Sequence, residues 1–242
     1  MAHGTEDYAN VRPKITTYTL TDMAELAERL GAVPSIDRLG DTIFIDNFED
    51  GLCKWNVTTT GTGATVTESG KWSQHGGFSV KIHLPADATA QAVMQRSCPF
   101  PVSSMIGLEF NATSDEHLTN FIGMIDFYTS QFLIRFAMKF DVPNGNVYLL
   151  NPLGNWQLVS TGIYIDYASG IFHRGKFVAD LPNLIFRKYA TSTLAVDLRS
   201  YSPFITSDLT KAHMSISFYL YGNAAGEIDI YFDSVIVTQN EP

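Results

Sequence analysis

The sequence predicts an all-β protein: an antiparallel β-sandwich of jelly-roll type, preceded by an extended N-terminal arm with one short helix. Three observations carry this. From Asp41 onward apolar residues recur at a period of two, which sends successive side chains to opposite faces of a strand. Turn residues punctuate these runs at Gly76-Gly77, Pro143-Asn144-Gly145, Asn151-Pro152 and Tyr221-Gly222-Asn223. No helical period separates them, and about a dozen short strands without intervening helices stack or close as antiparallel sheets.

Residues 1–41 form the first region and 42–242 the second. The first twenty residues are polar and irregular, as an extended arm is. Thr21 or Asp22 then caps a helix in which Met23, Leu26, Ala27 and Leu30 recur at i, i+3, i+4 and i+7, with Gly31 at its end and Pro34 blocking continuation. A helix of about ten residues is marginal alone in water, so its apolar stripe docks on its own domain or on a neighbouring subunit. Strands are expected over 42–45, 64–68, 78–84, 90–97, 105–111, 121–128, 131–140, 145–150, 156–160, 176–179, 185–189, 192–198, 213–221 and 227–232. In 131–140 the residues Phe132, Ile134, Phe136, Met138 and Phe140 share one face, and Gln131, Arg135 and Lys139 the other. In 213–221 Met214, Ile216, Phe218 and Leu220 oppose His213, Ser215, Ser217, Tyr219 and Tyr221.

With 16 Lys+Arg against 25 Asp+Glu, the chain carries a net charge of −9 and no basic cluster, so it lacks the footprint of a nucleic-acid binder. No stretch is apolar enough to cross a membrane as a helix, and no signal peptide opens the chain. The two cysteines, Cys53 and Cys98, fit no zinc or redox spacing and are expected to remain reduced. Six histidines show no pairing that would place two imidazoles on one metal, and no nucleophile elbow, phosphate loop or dinucleotide fingerprint occurs. No cofactor is therefore expected from the residues themselves.

The first strand and its exit read Ile43-Phe44-Ile45-Asp46-Asn47-Phe48-Glu49-Asp50-Gly51, followed by Trp55. Gly76-Gly77-Phe78-Ser79-Val80-Lys81-Ile82 comes later, and the chain closes with Ile228-Asp229-Ile230-Tyr231-Phe232-Asp233-Ser234-Val235-Ile236-Val237. This spacing resembles the jelly-roll carbohydrate-binding modules of the galactose-binding-like type over residues 41–240. The resemblance implies a structural calcium between the first strand's exit and the last strand. Carried over, the Glu49 and Asp233 carboxylates would be ligands, with backbone oxygens near Asn47 and Gly77 completing a hard oxygen shell. The alternative is that both are metal-free acids of a turn and a strand edge.

The resemblance also implies sugar binding by stacking on exposed aromatics. Tyr219 and Tyr221 lie on the polar side of their strand, and Tyr128, Trp156, Tyr164 and Tyr167 lie in segments able to face outward. A flat ring with a polar handle suits a pyranose, but the same residues suit a subunit interface or simple core filling. The segment Glu227-Ile228-Asp229-Ile230-Tyr231 resembles the acidic strand of jelly-roll β-glucanases, which need two carboxylates about 5 Å apart. Tyr231 stands where the second acid belongs, so retaining hydrolysis is not expected.

The arm-plus-sandwich layout resembles the virion surface proteins of tailed phages. The expectation is a noncatalytic virion structural protein, a capsid decoration or tail-associated surface subunit, docking through its arm onto neighbouring subunits of a homo-oligomer or particle. It would be made in the host cytoplasm without a signal peptide and carried on the virion surface. The alternatives are a carbohydrate-binding module or lectin and, third, a polysaccharide-active enzyme.

Overall fold

The computed structural model describes residues 39–242 apart from 103, 115–117, 163–169 and 193. The arm and the helix of Met23, Leu26, Ala27 and Leu30 lie outside the described residues, as do Tyr164 and Tyr167. Among the described residues there is no helix, and the strands assemble into two antiparallel sheets.

The first sheet contains β1 (Asp41–Asp46), β3 (Thr65–Ser69), β4 (Ser79–Leu84), β6 (Met105–Ser114), β11 (His173–Asp180), β12 (Ile185–Thr191), β13 (Ala195–Asp197) and β16 (Ile228–Gln239). Its order is β13-β12-β11-β6-β16-β4-β3, with β1 beside the second half of β16. The second sheet contains β2 (Asn56–Thr60), β5 (Gln91–Cys98), β7 (Asn120–Tyr128), β8 (Phe132–Asp141), β9 (Asn146–Leu150), β10 (Trp156–Ser160), β14 (Phe204–Ser207) and β15 (His213–Tyr221). Its order is β10-β9-β8-β7-β15-β5-β2, and β14 lies against the first half of β8. Consecutive strands alternate between sheets often enough that each sheet is stitched by distant segments, as a jelly roll requires.

The inward faces meet in one core. Phe110 lies 5.5, 5.4 and 5.7 Å from the ring centres of Phe121, Phe140 and Phe218, and Phe121 stacks on Phe140 at 4.7 Å. Burying each such ring contributes about 2–3 kcal/mol, enough over this many rings to hold the sandwich without a disulfide. Both cysteines are free.

The motif at the first strand's exit is structural. Asp46 is buried and accepts hydrogen bonds from Trp55 Nε1 at 2.7 Å, Lys54 Nζ at 2.8 Å and the Phe48 N–H at 3.2 Å. A carboxylate with three donors is stable in the interior, and it ties the strand exit to the Trp55 ring, which packs 5.9 Å from Phe48.

Several elements depart from expectation. β2 and β14 are strands where none was expected: both are exposed, edge-like segments without an apolar alternation to announce them. The strand expected over 192–198 shrinks to Ala195–Asp197. The last strand continues past Phe232 because a bulge between Phe232 and Ser234 resets its register and returns Val235 and Val237 to the core. Phe132, expected on the buried face, is exposed because it opens β8 at the Thr129 to Phe132 hairpin.

Candidate functional site

Register builds a site on the outer face of the second sheet, where side chains from five strands fall into rows. One row runs Val93, Tyr219, Ile122, Lys139 and Tyr148 across β5, β15, β7, β8 and β9. The next runs Gln95, Ser217, Met124 and Ala137, and a third Ser97, Ser215, Asp126 and Arg135. Ile122, Met124 and Ala137 form a small apolar cluster separate from the core, and Leu150, Trp156 and Tyr219 pack against it. Ile122, Met124 and Ala137 are themselves buried, and the part-exposed Leu150, Trp156 and Tyr219 pack over them, so the surface this face presents is largely aromatic.

Polar groups adjoin this patch in fixed positions. Asp126 is 3% exposed, and both of its oxygens accept from Arg135, Nε and Nη2 each at 2.8 Å. The paired carboxylate holds the guanidinium above its ordinary value, against the opposing effect of burial. Gln95 Nε2 donates to Ser215 Oγ at 2.8 Å. Tyr128 stacks on His213 with ring centres 4.4 Å apart and planes 5° from parallel. Lys139 Nζ lies 4.6 Å from the centre of Tyr148 and 5.1 Å from that of Trp156, a cation held against two ring faces.

Burial pushes the hydroxyls of Tyr128 and Tyr219 upward, and the Asp126 charge adds to it. A tyrosine so shifted keeps its proton near neutrality. It serves as a hydrogen-bond partner and ring surface, and is poorly suited to abstract a proton.

Of the aromatics singled out in the sequence, Trp156, Tyr219 and Tyr128 come together on this face, and Tyr221 stands exposed at the end of the same strand. Sequence reasoning missed Tyr148 and the Asp126–Arg135 pair. Arg135 and Lys139 were visible as the polar side of their strand, but nothing local showed which acid or ring they would meet.

The outer face of the first sheet is different. Glu227 is exposed, and Asp229 pairs with Lys81 Nζ at 2.6 Å and His83 Nδ1 at 2.8 Å. Burial acts to raise the Asp229 carboxyl, but hydrogen bonds and charge from Lys81 and His83 outweigh it and hold it low. The glucanase-like strand therefore presents an ion-pair cluster on the face opposite the aromatic patch.

Glu49 and Asp233 both clasp the loop before β4. Glu49 Oε1 accepts the N–H groups of Gly77 and Phe78, each at 2.9 Å, and Asp233 Oδ2 accepts that of His75 at 3.0 Å. Gly76 has φ +77° and its missing Cβ would fall 2.2 Å from Glu49 Oε1, so glycine alone lets the carboxylate lie this close. Asp233 is fully buried at the β16 bulge, and burial pushes its carboxyl up to about 6. Its Oδ1 and the Asn111 Oδ1 are buried acceptors without a hydrogen-bond donor among the described residues. Two such oxygens suit a hard cation, although among the described residues no three of His, Cys, Asp and Glu gather as a metal set.

No protein-family model matches the chain, and no curated protein matches it. Among solved structures, an endo-β-1,4-glucuronan lyase from the fungus Trichoderma reesei aligns with a TM-score of 0.54 at 11% identity, over 82% of this chain and 95% of that one. A sialidase aligns with a TM-score of 0.52 at 12% identity, over 86% of this chain and 19% of that one. A structure described for carbohydrate-binding modules of the β-sandwich superfamily aligns at 0.45 and 13% identity, over 84% of this chain and 64% of that one. The chain thus spans about a fifth of the sialidase and just under two thirds of the module structure. At these identities the likeness is one of fold, the two-sheet jelly roll.

Proposed function

We propose that this chain is a noncatalytic glycan-binding domain whose ligand lies on the outer face of the second sheet. The observation that carries the reading is the part-exposed pair Trp156 and Tyr219, packed over the buried Ile122, Met124 and Ala137, beside the fixed Asp126–Arg135 and Gln95–Ser215 pairs. A sugar ring has an apolar face and a hydroxyl rim, and this surface offers a counterpart to each. The raised tyrosine hydroxyls and the bidentate, mutually neutralised Asp126–Arg135 pair favour binding over proton abstraction. The test is a glycan array with the intact chain, then Trp156→Ala and Tyr219→Ala. The expected result is a hit that each variant weakens by about tenfold or more, while the melting temperature moves by only a few degrees. Absence of any hit, or hits that both variants retain, overturns the reading.

The setting belongs to the same proposal: a surface subunit of a phage or phage-like particle, held through residues 1–41. Its support is the layout of the sequence, a polar and irregular first twenty residues ahead of a sandwich whose described strands lie within 41–239. Light scattering of the full chain against residues 42–242 tests it: a homo-oligomer that becomes monomeric is expected, and a monomer in both cases removes it. Calcium would serve as a structural ion, held by Asp233 and Asn111 with Glu49 nearby, and would neutralise acids that otherwise repel.

A further inference from the structure

The two rings proposed to hold a glycan stand apart, and a cation stands between them. The second sheet runs β10-β9-β8-β7-β15 through this face, so Lys139 on β8 is two strands from Tyr219 on β15 and two from Trp156 on β10. At about 4.8 Å per strand, each of those two intervals is about 10 Å. Tyr219, Ile122 and Lys139 share one row, and Lys139 in turn faces Tyr148. The Lys139 Nζ is 5.1 Å from the Trp156 ring centre, so a ligand that touches both Trp156 and Tyr219 lies alongside that ammonium.

Among the described residues no carboxylate pairs with Lys139. Arg135, the other cation of this face, is held by both oxygens of Asp126. Asp141 lies two residues along the strand on the same face as Lys139, but both of its oxygens accept from Asn144 Nδ2, at 3.1 and 3.0 Å. Leu149 pairs with Met138 and Leu150 with Trp156, which puts Trp156 on the far side of Lys139 from Asp141. The lysine thus turns away from the carboxylate beside it in the strand and toward the rings, where a cation is attracted to the aromatic face. Arg96 is the partner of the core residue Ile216 and belongs to the other face, and His213 stacks on Tyr128 at the Leu133 end of β8.

We infer that the glycan of this face is an acidic one, whose carboxylate or sulfate is bound by Lys139 Nζ between the two rings. The inference rests on the glycan reading of the face and names its ligand class. A neutral sugar laid across Trp156 and Tyr219 strips water from the ammonium and returns only hydroxyl hydrogen bonds. An acidic sugar returns a counter-charge as well, beside rings that lower the local dielectric. Hydrogen bonds between charged groups are about twice as strong as neutral ones. The net charge of −9 does not oppose this locally, since the outward rows of β7 and β8 hold Lys139 and Arg135 against Asp126 and Asp141.

The test uses the full chain and paired probes: oligosaccharides of glucuronic, galacturonic and mannuronic acid, each beside its methyl ester, which keeps the sugar and removes the charge. A sulfated dextran oligosaccharide beside plain dextran is the second arm. Calorimetry should find at least one acidic probe that binds about tenfold or more tightly than its neutral counterpart, and added salt should shrink the difference. Lys139→Met keeps an apolar stem against the rings and should reduce that preference to under about twofold. If its melting curve shows that this variant does not fold, the acid and ester pairs on the unaltered chain decide. A preference confined to the uronates assigns the carboxylate and one confined to the dextran arm assigns the sulfate, and either supports the inference. Acidic probes that bind no tighter than their neutral counterparts overturn it, as does a preference that Lys139→Met leaves whole. In those cases the glycan reading survives if neutral sugars bind through Trp156 and Tyr219, whereas binding of no sugar at all overturns both.

Discussion

The two outer faces of the sandwich are built from strands of similar length and similar alternation, yet they hold charge in opposite ways. On the first sheet, Asp229 is closed off by Lys81 and His83, and Asp233 is buried under the loop it clasps. On the second, the bidentate Asp126–Arg135 pair lies in the row beside an apolar patch with aromatic rims. The difference teaches that charge in this acidic chain is mostly structural. The proposed recognition surface lies where a bidentate ion pair adjoins part-exposed rings.

The largest expected effect separates those pairs. Asp126→Ala removes a buried carboxylate and both of its charge-assisted hydrogen bonds to the part-exposed Arg135, and should cost about 2–4 kcal/mol in urea unfolding. An unchanged midpoint would mean that the pair does not anchor the face. The next concerns Asp233. Its carboxyl is raised to about 6, so the folded protein favours the protonated form. That contribution is full below the ordinary carboxylate value and is lost as pH rises through about 6, a swing on the order of 2–3 kcal/mol. Melting curves from pH 4 to 7 in chelator should show the loss. Asp233→Asn should abolish it, and added calcium should restore stability above pH 6 if the ion binds there. A flat profile would contradict the buried, donor-poor environment. The smallest effect is the counterpart of the first: Asp229→Ala should cost less than about 1 kcal/mol and leave glycan binding intact, because its partly exposed partners regain water. A cost matching that of Asp126→Ala would erase the contrast between the faces.

Much of this architecture was legible in the residues. The strands at 156–160 and 213–221 coincide with β10 and β15, and in the second a strongly alternating run marks both its length and its two faces. β2 and β14 escaped because an exposed edge strand needs no apolar face, and Asn56–Thr60 reads as a polar loop. The β16 bulge escaped because one extra residue breaks the period that identifies a strand. In the site, Trp156 and Tyr219 were legible as outward aromatics, whereas the part played by Tyr148 and Asp126 was not.

What the sequence by itself determined is local: a period of two, the side of each strand that is apolar, the turns between strands, and hence a sandwich with a self-sufficient core. These follow from backbone geometry within a few residues. Only the tertiary structure decided which strands are neighbours and in what register. The row of Val93, Tyr219, Ile122, Lys139 and Tyr148 draws on five strands of which only three are consecutive, and Phe110 meets Gly175 only because β11 pairs with β6. Such juxtapositions depend on long-range pairing chosen by the packing of the whole core, which no local pattern encodes.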